Sequence, residues 1–178
     1  MVASRSLYAC VILPLSGSLA RAVRDARSAS LPPGIEVPTH ITVLPPWRAS
    51  AGEINALLTH TATVGETCSP FEVSSGEIGT FEPISPVVYL DIARGRESIF
   101  RLHRQLKAGV PGADFRFPFV PHITLAQIDD DAQLDAVREH MADFSGSSLV
   151  TDMCVVTGPS LEHWSEQDCV KLSGPAPR

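Results

Sequence analysis

The sequence predicts a mixed α+β domain built from two similar halves. Three observations carry that expectation. Apolar runs of strand length alternate with segments of helical periodicity along the chain. The pattern His-Ile-Thr-aliphatic occurs twice, as "HITV" from His40 and as "HITL" from His122. Each copy is followed by a short loop and a capped helix start. The copies lie 122 − 40 = 82 residues apart, and six histidines and ten threonines would give about a third of one His-x-Thr by chance.

The run Leu7 to Leu15 is aliphatic and bounded by Ser-Gly, which suits a buried first strand. It also loosely imitates a signal peptide, but it is short, contains Pro14 and leads into a charged helical pattern. From Ser18, Leu19, Val23 and Ala26 recur at helical spacing, and Arg21, Arg24 and Arg27 are read as a solvated face. "SLPPGIEVP" is a loop into the first His-Ile-Thr strand, Thr39 to Leu44. Ser50 and Glu53 then form a capping box ahead of Ile54, Leu57 and Leu58.

Strands are expected at Phe71 to Ile78 and Val87 to Ile92, and a helix around Ile99, Leu102 and Leu106. The second His-Ile-Thr strand, Val120 to Ile128, precedes a helix opened by Asp130 and Gln133 and faced by Leu134, Val137 and Met141. Strands at Leu149 to Thr157 and Cys169 to Leu172 close the chain, with residues 173–178 read as a frayed tail. Repetition of this order points to an internal duplication within one bilobal domain, 1–178, with approximate halves 1–93 and 94–178.

Composition bounds the function. Hydrophobic content of 44% with 19% charged residues describes a globular chain rather than a disordered one. A net charge of −6 argues against an extended nucleic-acid surface, yet allows a small phosphorylated nucleotide or an RNA terminus in a local pocket. No segment approaches transmembrane length, so no membrane partner is expected. Cysteines 10, 68, 154 and 169 show no zinc-like spacing, and reduced, structural thiols in a cytoplasmic monomer are the expectation.

On a strand, residues i and i+2 share a face. His40 and Thr42 therefore face one way and Ile41 and Val43 the other; His122 and Thr124 stand likewise against Ile123 and Leu125. If an approximate two-fold relates the halves, the two pairs oppose each other across a groove. One imidazole can then act as base and the other as acid near neutral pH. Each threonine hydroxyl can donate to a phosphate oxygen without adding charge. Neither a metal-ligand set nor a serine-nucleophile elbow accompanies the motifs, so no metal and no cofactor are expected.

The doubled motif resembles the paired H-x-T-x signature of the 2H phosphoesterase superfamily, which includes 2′-5′ RNA ligase-like proteins and cyclic nucleotide phosphodiesterases. The resemblance implies two similar lobes, antiparallel sheets enclosing a central groove, and helices packed outside. It also implies metal-independent hydrolysis of 2′,3′-cyclic phosphates or 2′-5′ bonds, with His40, Thr42, His122 and Thr124 as the catalytic set. One departure stands out: the RNA ligase-like branch commonly ends its second motif in Arg, where this chain has Gln127. Arg48 or Arg116 would then supply that charge, and Tyr8 and Trp47 are the candidates to stack on a base. The alternative is a module that binds a nucleotide or RNA end without processing it. His60, His103, His140 and His163 have no partner motif, and Phe115, Phe117 and Phe119 read as one packed strand face.

Overall fold

A computed structural model describes residues 6–28, 38–113, 115–161 and 163–176. Along the chain run β1 (Leu7–Pro14), α1 (Gly17–Ser28), β2 (His40–Ala49), α2 (Ala51–Gly65), β3 (Phe71–Thr80) and β4 (Val87–Arg94). There follow α3 (Arg96–Ala108), β5 (His122–Gln127), α4 (Asp131–Met141), β6 (Ser147–Val150), β7 (Asp152–Ser160) and β8 (His163–Lys171). Most of the loop "SLPPGIEVP" lies outside the described residues.

The strands form two four-stranded antiparallel sheets, ordered β2-β1-β7-β8 and β5-β4-β3-β6. Matching elements begin at a steady offset. Starts at 7 and 87, 17 and 96, 40 and 122, 51 and 131, and 71 and 152 differ by 80, 79, 82, 80 and 81 residues. Substituting β1 for β4, β2 for β5 and β7 for β3 turns one sheet order into the other. The repeated order is therefore a strand-helix-strand-helix-strand unit whose copies meet between β3 and β4, rather than near residue 93. The lobes are not sequence halves either, because β3 joins the second sheet and β7 returns to the first.

The helices cross over as well. α2 and α3 pack on the first sheet, while α1 and α4 pack on the second. Between the layers lies one apolar core, with Ala9, Val11, Leu13, Ile41 and Val43 from the first sheet and Val88, Leu90, Ile92, Ile123 and Leu125 from the second. Burying such aliphatic side chains contributes about 1.5–3 kcal/mol each, so the His-x-Thr strands are anchored by their Ile, Val and Leu positions. Ser50 and Glu53 make the expected capping box on α2, and the Asp130 side chain accepts from the Gln133 amide at the start of α4.

Several expectations are corrected. The strand expected at Leu149 to Thr157 is two, β6 and β7, split at Thr151 where the chain changes sheets. β8 begins earlier than expected because its leading residues are polar and give no apolar signal. Residues 173 and 174 are not frayed: the amides of Ser173 and Gly174 donate to the carbonyls of Gly65 and Cys68, each at 3.0 Å. Cys154 and Cys169 are not free thiols but a cross-strand disulfide between β7 and β8, formed because the register sets them opposite each other. Cys10 and Cys68 are free and buried. The Phe115–Phe119 stretch is irregular rather than a strand, and Phe117 is 53% exposed. Among the described residues, no helix is long and apolar enough to cross a membrane.

Candidate active site

β2 and β5 are the outermost strands of their sheets and pack against each other. Their edges bring the two motifs together. Ile41, Val43, Ile123 and Leu125 are fully buried, whereas His40, Thr42, His122 and Thr124 keep partial exposure on the other face. Each imidazole is oriented alike: Nδ1 donates at 2.7 Å to a carbonyl two residues earlier, Pro38 for His40 and Val120 for His122. A carbonyl only accepts, so Nδ1 carries the hydrogen and Nε2 of the neutral ring keeps its lone pair.

Beneath the motifs lies a residue the sequence reading misplaced. Arg27 is only 5% exposed, so the expected solvated Arg face is limited to Arg21 and Arg24. Its Nε and Nη2 donate to the Thr124 carbonyl at 2.8 and 2.5 Å, and its Nη1 reaches the Pro38 carbonyl at 3.4 Å. Pro38 is the residue that holds His40, so one guanidinium ties the two motifs together. The signal was present: Leu19, Val23 and Arg27 recur every four residues, which sets Arg27 on the buried stripe of α1. Burial lowers its pKa to about 10, leaving it protonated at neutral pH. From the other side of the molecule, His103 on α3 donates through Nδ1 to the Val43 carbonyl at 2.8 Å and stacks on Phe119.

The surroundings of the two histidines differ. Across the ladder from His40 stands Pro14, and from Thr42, Ile12. Across from His122 stands Asp91, and from Thr124, Tyr89. Phe81 and Tyr89 flank the His122 ring, with centroids 4.9 and 5.2 Å away. The Tyr89 ring lies over Gly79, where a Cβ would collide with it. Asp91 is held by Arg96 at 2.6 Å. Tyr89 and Asp91 were missed because only strand register sets them beside the motif, and Phe81 because it lies just past β3 on the way to β4.

Burial lowers the His40 pKa to about 4; the bond to Pro38 opposes this, and the charges of Arg27 and His122 reinforce it. Burial also lowers that of His122, but there the Val120 bond and the Asp91 carboxylate both pull upward.

Other expected contacts are placed as follows. Trp47 is 8% exposed and packs edge-on against Phe115, offering a ligand little surface. Arg116 is exposed and lies over its neighbour Phe117. Gln127 is exposed at the end of β5, past a bulge that leaves both Leu125 and Ala126 buried. Tyr8 and Arg48 pair with each other on the first sheet, with Arg48 Cζ 4.6 Å from the Tyr8 centroid. Among the described residues, no three His, Cys, Asp or Glu side chains gather as a metal site.

A family model described as the 2′-5′ RNA ligase superfamily matches residues 15–159, which include both motifs. The chain belongs to the 2′-5′ RNA ligase superfamily. A Bacillus cytotoxicus protein named "Putative phosphoesterase" is 30% identical over 138 residues, covering 76% of this chain and 80% of its own. The superfamily fold recurs in the crystal structure of E. coli LigT in apo form, with a TM-score of 0.70 and 18% identity over 94% of this chain and 98% of that one. E. coli LigT complexed with 3′-AMP superposes with a TM-score of 0.69 at 18% identity, over 94% and 99% of the two chains.

Proposed function

We propose that this protein is a phosphoesterase that hydrolyses 2′,3′-cyclic phosphates or 2′-5′ phosphodiester bonds of nucleotides or RNA ends by two-histidine acid/base catalysis. The observation that carries the reading is the pair of imidazoles on adjoining edge strands, each with Nδ1 committed to a carbonyl and Nε2 left for proton transfer. Membership of the 2′-5′ RNA ligase superfamily and the LigT complex with 3′-AMP support it.

In the proposed reaction, neutral His40 takes a proton from water through Nε2 as the water oxygen bonds to phosphorus. The bond from phosphorus to the leaving ribose oxygen breaks, and that oxygen receives a proton from His122. Water is consumed, a phosphomonoester forms, and the proton gained by His40 returns to solvent while His122 is recharged. His122 takes the acid role because Asp91 stands opposite it, whereas His40 faces Pro14 and senses Arg27. Thr42 and Thr124 donate to the non-bridging oxygens, and Arg27 contributes positive potential beneath Thr124 where Gln127 cannot. The expected small phosphorylated ligand and monomeric state belong to this proposal.

The test is incubation with 2′,3′-cyclic nucleotides and a 2′-5′ dinucleotide in EDTA, with His40→Ala and His122→Ala alongside. Turnover by the wild type that either change abolishes is the expected result. Turnover that survives both single changes removes the histidine mechanism.

A further inference from the structure

The inner face of the first sheet continues away from the histidines. On β1, Ile12 stands opposite Thr42, and the same face then carries Cys10 and Tyr8. Four residues of strand place Tyr8 about 13 Å along from Ile12. At that level Tyr8 pairs with Arg48 on β2 and with Gly158 on β7. Gly158 has no room for a side chain: a Cβ there would collide with the His163 carbonyl. That close approach brings Trp164 edge-on to Tyr8, with centroids 6.5 Å apart, and Trp164 is fixed by its Nε1 donating to the Leu161 carbonyl at 2.6 Å. Trp164 remains 36% exposed, and Arg48, on the other side of Tyr8, is exposed as well.

Two oriented aromatic rings and a guanidinium, open to solvent and on the face that carries Thr42, match the chemistry that holds single-stranded nucleotides. Bases stack on aromatics irrespective of sequence, and Arg can lie on a ring while its edge donors pair with phosphate. Phe81 and Tyr89 lie beside His122 and so stand nearer the nucleotide whose phosphate reacts, which leaves the cluster placed for its neighbour along the strand.

We propose that Tyr8, Arg48 and Trp164 form a second nucleotide subsite, so that the preferred substrate is a single-stranded RNA terminus rather than a mononucleotide. This rests on the phosphoesterase reading above and names its substrate class. With one cation in the subsite and a net charge of −6, the grip is local: Arg48→Ala reduces the slope of log affinity against log salt by about one.

The experiment compares kcat/KM for a uridine tetranucleotide ending in a 2′,3′-cyclic phosphate with that for the cyclic mononucleotide. The wild type is expected to prefer the tetranucleotide at least tenfold, and Trp164→Ala and Tyr8→Ala to cut that preference about tenfold, with Trp164→Phe restoring most of it. Equal use of both lengths by the wild type, or a preference retained in both alanine variants, overturns the subsite. A parallel arm measures binding of the labelled tetranucleotide and mononucleotide to His122→Ala. If the wild type turns over neither substrate, the phosphoesterase reading fails; length-dependent binding that Trp164→Ala abolishes still upholds the subsite, and equal binding of both lengths overturns it.

Discussion

His40 and His122 occupy the same place in the same motif on matching edge strands, and each fixes its ring through a carbonyl two residues back. One strand away the likeness ends. His40 looks across at Pro14 with the Arg27 charge nearby, while His122 looks across at Asp91 and is flanked by Phe81 and Tyr89. The duplication supplied two similarly oriented imidazoles, and their neighbours made them unequal. In the proposed reaction that inequality divides the labour: the site that disfavours a proton suits a base, and the one beside a carboxylate suits an acid.

Removing either member of the pair is the severest way to break this comparison. His40→Ala and His122→Ala are each expected to cut kcat about 10²–10⁴-fold in steady-state assays, without unfolding the protein. A residual rate near wild type in one variant would show that only the other histidine works.

Next in size is the residue that couples the two sides. Arg27→Met leaves the Thr124 and Pro38 carbonyls without these donors, a loss of about 1–3 kcal/mol for each unsatisfied buried group. Urea titration should show that loss as a lower midpoint with an unchanged slope. Stability equal to wild type would mean that the motifs are held together without Arg27.

Asp91→Asn sharpens the comparison directly. With His40 as base and His122 as acid, kcat/KM is expected to peak between about 4, where His40 becomes neutral, and the ordinary histidine value of 6.5, below which His122 lies. The alkaline limb reports proton loss from His122. Removing the carboxylate that favours the imidazolium moves that limb to lower pH and leaves the acid limb in place. A shift of the acid limb instead would reverse the two roles.

The smallest effect concerns stability. Above pH 6.5 His40 is neutral whether folded or unfolded and contributes no pH dependence. Below that, the unfolded chain binds a proton that the folded site refuses until about pH 4. Stability therefore falls as the solution is acidified through this window. His40→Gln is expected to flatten that decline in melts recorded from pH 7 to pH 4, and an identical decline in both proteins would place the acid-sensitive group elsewhere.

Much of the site was legible because strands announce themselves through alternation. "HITV" and "HITL" fix which side chains share a face, and Ser50 with Glu53 fixes where α2 begins. Arg27 was misread because three arginines at helical spacing resemble a wet face, although Arg27 alone continues the Leu19–Val23 stripe. Asp91 and Tyr89 carried no signal, since nothing local tells a strand which residue of another strand it will oppose. The same holds for Cys154 and Cys169, whose pairing follows from the β7–β8 register, and for Tyr8 with Trp164, 156 residues apart in the chain.

Local periodicity and the repeated motif thus determined the elements, the buried faces and the shared orientation of His40 with Thr42 and of His122 with Thr124, because backbone geometry alone sets which neighbours along a strand or helix look the same way. The exchange of β3 and β7 between sheets, the crossing of α1 and α3 beneath the opposite lobe, and the unequal settings of His40 and His122 were decided only by tertiary structure. Those depend on register and packing between segments distant in sequence, where each contact is chosen by the burial and hydrogen bonding of both partners at once.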